Sequence, residues 1–93
     1  MRMKLFTRIS RFLLWKRIGA LEVRGNGRNS ILLRLGSTTF EVYCEDYLQD
    51  GVVHSEWQLA ESREIGSGRE ISAAEIARVR QEVSKDPRIK ILA

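Results

Sequence analysis

The sequence predicts an α+β domain: a small antiparallel sheet packed by one helix from the C-terminal half of the chain. Three observations predict it. Residues 18–44 alternate apolar and polar side chains in short runs broken by Gly- and Asn-containing turns, which is the period of half-buried strands. Residues 72–85 switch to helical spacing behind an S-x-x-E sequence. At 93 residues, with 43% hydrophobic and 30% charged side chains, the chain is one globular domain, too apolar to stay disordered. A single cysteine also excludes an internal disulfide framework.

Residues 1–17, MRMKLFTRISRFLLWKR, read as a basic amphipathic helix or arm ahead of a domain at 18–93. At helical spacing Leu5, Phe6, Ile9, Phe12 and Leu13 share a face, and Lys4, Arg8 and Arg11 gather opposite. Such a helix either packs its apolar stripe on the domain's own sheet with its charges solvated, or meets an anionic membrane surface or an acidic partner, with Lys16 and Arg17 extending its charge. It is too charged to span a bilayer, and Arg8 and Arg11 interrupt what would be the apolar core of a secretory signal.

The first strand runs from Ile18 to Arg24, with Leu21 and Val23 on one side. Gly25-Asn26-Gly27-Arg28-Asn29 tolerates positive φ and suits a hairpin loop. It is no phosphate loop, because GNGRNS departs from G-x-G-x-x-G and no helix follows it. The second strand, Ser30 to Leu35, points Ile31, Leu33 and Leu35 one way. Gly36-Ser37 turns the chain into the third, Thr38 to Cys44, with Phe40, Val42 and Cys44 inward and Glu41 and Tyr43 outward. Residues 45–70 mix acids with Tyr47, Val52, Val53, Trp57 and Leu59, and Glu56 to Ala60 fits a fourth, edge strand. Ser72 and Glu75 form a capping box, followed by Ile76, Val79 and Val83 on one helix face. Asp86-Pro87 ends the helix, and Ile89 and Ile91 alternate with charges in a final strand. An open edge on the third or last strand would allow a homodimer by strand pairing.

The net charge of +4 hides an uneven distribution. Residues 1–34 carry nine basic side chains and one acid, giving +8, and residues 35–93 carry seven and eleven, giving −4. From Glu41 to Glu64 there are seven acids against Arg63 alone. That stretch would repel phosphate, which argues against nucleic acid as the partner.

No catalytic constellation is legible. His54 is the one histidine, flanked by side chains that point in different directions on an extended chain. Cys44 falls on an inward strand face, where burial raises a thiol's pKa and removes the nucleophile. One Cys and one His cannot make a structural zinc site. The expectation is a protein that is no enzyme and takes no metal or cofactor.

From about Trp15 to Leu92 the chain resembles the small α+β immunity proteins of bacterial polymorphic-toxin systems. The likeness rests on an opening strand (GALEVRG), the ILLRLG strand, and T-F-E-V-Y from Thr39 to Tyr43. It continues through an acidic aromatic stretch, E-I-S-A-A-E from Glu70 into the helix, and R-I-K-I at the end. The resemblance implies a non-catalytic binder that holds a cognate toxin domain inactive in the cytoplasm, in a membrane-peripheral position if the arm engages lipid. Many such toxin domains are basic, and an acidic surface would steer association with them. The residues expected to make that contact are Glu45, Asp46, Tyr47, Asp50, His54, Glu56 and Trp57, with Tyr47 and Trp57 either aromatic anchors or residues of the domain's own core. The alternative is a peripheral membrane or nucleic-acid-associated regulator acting through Lys4, Arg8, Arg11, Lys16 and Arg17.

Overall fold

The structure, a computed structural model, describes residues 2–5 and 14–92. The strands are β1 (Arg2–Leu5), β2 (Lys16–Ile18), β3 (Leu21–Gly25), β4 (Ser30–Leu35), β5 (Thr38–Gln49), β6 (Val52–Glu64) and β7 (Ile89–Leu92). One helix, α1 (Ala73–Val83), lies between β6 and β7. The strands form one sheet in the order β2-β3-β4-β5-β6-β7, with β1 on β5 outside that path. An α+β architecture is therefore present, weighted heavily toward sheet.

The β3–β4–β5 meander follows the alternation in the sequence. Leu21 and Val23, then Ile31, Leu33 and Leu35, then Phe40, Val42 and Cys44 are buried on one face. Trp57, Leu59 and the helix residues Val79 and Val83 complete the same core. Ser72 caps α1 as the sequence predicts. Its hydroxyl accepts from the Glu75 amide at 3.1 Å, and the Glu75 carboxylate accepts from the Ser72 amide at 2.9 Å. Arg69 donates to Glu75 through both terminal guanidinium nitrogens at 3.0 and 3.1 Å and through Nε to Glu64 at 3.0 Å. These contacts tie the end of β6 to the start of the helix.

Three expectations need correction. First, the Glu56–Ala60 strand is part of a longer one, Val52–Glu64, that is not an edge. β5 and β6 make a long hairpin whose tip is Asp50-Gly51, both at positive φ (54° and 79°). Such a pair matches the strand twist in a two-residue turn. β7 covers the far side of β6 and pairs with it in parallel, Ser55 opposite Ile89 through Gln58 opposite Leu92. The parallel sense follows from connectivity, because α1 carries the chain back before β7 begins. Second, the third strand offers no edge for a homodimer, since β4 and β6 flank it. The sheet edges on the main path are β2 and β7.

Third, the basic arm is not a continuous helix. Arg2–Leu5 pairs antiparallel with β5, Arg2 opposite Gln49 through Leu5 opposite Asp46. Lys16–Ile18 pairs with β3. The cause is a length mismatch: β4 has six residues and covers only Thr38–Tyr43 of the twelve-residue β5. The remaining backbone groups of β5 offer a ladder, and β1 takes it. Residues 6–13 of the expected helix, including Arg8 and Arg11, lie outside the described residues.

Candidate functional site

The register of the β5–β6 hairpin sorts the seven expected contact residues. Glu45 stands opposite Glu56, Asp46 opposite Ser55, Tyr47 opposite His54, and Cys44 opposite Trp57. Because side chains alternate along a strand, Glu45, Tyr47, His54 and Glu56 share the outward face. Asp46 and Trp57 point to the core side. Asp50 sits at the hairpin tip, exposed. The sequence grouping thus separates into four residues on one face, two on the other and one at the end.

The two inward residues cannot serve as surface contacts. Trp57 is 0% exposed and packs in the core, so it is no anchor for a partner. Asp46 is 5% exposed, and its carboxylate accepts the Ser55 hydroxyl at 2.6 Å. A buried carboxylate needs such a donor.

The outward face is a row of rings and carboxylates. Tyr43, which the sequence reading left out of the site, is 39% exposed and donates its phenol to Glu45 Oε1 at 2.9 Å. That bond, aided by partial burial and the charge of Glu45, holds the phenol above its ordinary range. Farther along the strand, the Tyr47 and His54 rings stack at 5.4 Å with an interplanar angle of 11°, but Tyr47 is itself buried, so the second expected anchor is no exposed contact either and only His54 keeps part of its surface. Glu45 and Glu56 lie directly across the ladder between these rings, which concentrates negative charge there. One signal in the sequence would have found this grouping. Asp-Gly at 50–51 marks the hairpin tip, and counting outward from it sets His54 opposite Tyr47.

Cys44 and His54 sit on opposite faces of the sheet, so no thiol–imidazole pair assembles. Burial, reinforced by the charges of Asp46 and Glu45, pushes the Cys44 thiol up to about 12. Among the described residues no three His, Cys, Asp or Glu side chains converge on a metal position.

The residues of the basic alternative are also dispersed. Lys4 belongs to β1, and Lys16 and Arg17 belong to β2 at a sheet edge. Trp15, just before β2, lies against the outward side chain of Arg34, whose guanidinium is 3.9 Å from the ring centroid. Among the described residues no helix is long and apolar enough to cross a membrane. Comparison with family models, with curated proteins and with solved structures finds no match to this chain.

Proposed function

We propose that this chain is a non-catalytic protein-binding module, an immunity protein that holds a cognate toxin domain inactive. Docking uses the outward face of the β5–β6 hairpin. The observation that carries this reading is the opposed Glu45–Glu56 pair set between exposed Tyr43 and the Tyr47–His54 stack. Carboxylates at this position steer a basic partner, and the exposed Tyr43 and half-buried His54 rings beside them supply amphipathic contact area, with buried Tyr47 backing the His54 ring. Asp50 at the tip extends the same charge beyond the sheet. The resemblance in the meander and the capped helix supports the toxin-neutralising version. In this reading the protein works in the cytoplasm of the cell that makes it and requires no cofactor.

The test is the association kinetics of this chain with a cognate toxin domain. Glu45→Lys combined with Glu56→Lys should slow association at least tenfold at low salt and flatten its salt dependence. Asp50→Lys alone should have a smaller effect of the same sign. An unchanged association rate in the double variant, with its melting transition intact, removes the outward face as the docking surface.

A further inference from the structure

We infer that Asn26–Gly27, in the loop joining β3 to β4, is a site of spontaneous covalent modification: Asn26 converts to aspartyl and isoaspartyl residues, at a rate held down by Glu41. The reaction needs a backbone amide that can lose its proton and reach the side chain before it. The Gly27 amide is exposed and donates to no group among the described residues. A Cβ placed on Gly27 would meet nothing within 4 Å, so this nitrogen stands in open solvent. Its φ of 90° is one that glycine adopts without strain. Deprotonated, the Gly27 nitrogen attacks Asn26 Cγ. A C–N bond closes a succinimide ring, the Cγ–Nδ2 bond breaks, and the departing nitrogen takes up protons from water and leaves as ammonia. Water then opens the ring. Attack at Cγ gives aspartate on the normal backbone. Attack at the Asn26 main-chain carbonyl gives the isoaspartyl form, in which the backbone runs through the β-carbon. The balance is asparagine plus water to aspartate plus ammonia, with no oxidant or reductant.

The fold opposes the first step. Asn26 Nδ2, the group that leaves, donates to Glu41 Oε2 on β5 at 2.8 Å and to the Ser30 hydroxyl at 3.2 Å. Both bonds fix the carboxamide in place, and donation from Nδ2 deepens the amide resonance that makes Cγ a poor electrophile. The shorter bond, to a charged acceptor, is the stronger of the two, so Glu41 sets the rate. Conversion then turns this tie against itself. The donor to Glu41 is gone, and a second carboxylate stands in its place, so a bond between the loop and β5 becomes a like-charge contact. The neighbouring anchor, the Cys44 amide donating to the Asn29 carbonyl at 2.9 Å, is loosened with it.

The test is incubation of the full chain at mildly alkaline pH, read by intact mass and peptide mapping. The natural chain is expected to accumulate a species heavier by the exchange of NH2 for OH, mapped to residue 26, and Asn26→Gln to accumulate none there. Glu41→Ala, at an exposed position, should convert at least fivefold faster than the natural chain, and Glu41→Gln, which keeps an acceptor, more slowly than Glu41→Ala. Should Glu41→Ala lose its folded spectrum, Ser30→Ala carries the test, with a twofold or greater acceleration expected. The isoaspartyl product should exchange its Cys44 amide hydrogen at least threefold faster than the natural chain. No heavier species at residue 26 after prolonged incubation would overturn the site. Equal conversion rates in the natural chain and the folded variants would overturn the role of Glu41, and unchanged exchange at Cys44 would overturn the loosening. None of these results depends on toxin binding, so the two readings fail separately.

Discussion

The inward and outward rows of the β5–β6 hairpin come from the same residues of chain and meet opposite surroundings. Inward, Cys44, Asp46, Ser55, Trp57 and Leu59 are all buried against the helix side or the core. Outward, Tyr43, Glu45, His54 and Glu56 keep part or all of their surface, and only Tyr47 is closed over. The difference shows that an acidic aromatic stretch is not one surface. Adjacent residues that look alike in sequence, Glu45 and Asp46 or Glu56 and Trp57, are assigned opposite fates by a period of two.

The largest break in this comparison is Trp57→Ala. Emptying the volume of a fully buried indole should cost about 3–5 kcal/mol, read as a lower urea midpoint. A cost below ~1 kcal/mol would mean that Trp57 is not a core residue in solution. The second effect separates the rows by titration. The Cys44 thiol rises to about 12 in the fold from an ordinary 9.0, so the unfolded chain releases this proton first. Its contribution to stability is complete below pH 9 and declines as pH climbs toward 12. Melting curves from pH 8 to 11 should therefore fall more steeply for the natural chain than for Cys44→Val; parallel curves would contradict the burial. The smallest effect belongs to the outward row. Tyr43→Phe deletes an exposed hydrogen bond and should change stability by no more than about 0.5 kcal/mol. A larger loss would assign that row a structural role alongside its proposed docking role.

Much of the fold is legible in the residues because the meander and the helix are local. Ile31, Leu33 and Leu35 announce a strand, and Ser72 with Glu75 announces a helix start, without reference to distant chain. The outer half of the hairpin is harder for two reasons. Asp46 points inward and Tyr47 outward, which inverts the hydrophobic pattern just where the strand continues. Farther along β6, pairing jumps from Gln58 opposite Tyr43 to Arg63 opposite Glu41, a bulge that breaks the period. Leu59 and Ser62 are both fully buried across it, three residues apart rather than two. The pairing of β1 is nonlocal altogether. It depends on β4 stopping short of the far half of β5, which no pattern within residues 2–5 records. The candidate site follows the same division: its residue types were readable, but their shared face required the register.

The parallel seat of β7 has a consequence for biosynthesis. The ribosome makes both arms of the hairpin, then the helix, and only afterward the segment that seals the flank of β6 from Ser55 to Gln58. Until that moment the emerging polypeptide displays an open ladder beside a tryptophan, the kind of margin on which unfinished chains stick together. A message that stalls or terminates within α1 therefore yields a product prone to self-association, while the completed translation product carries its own seal.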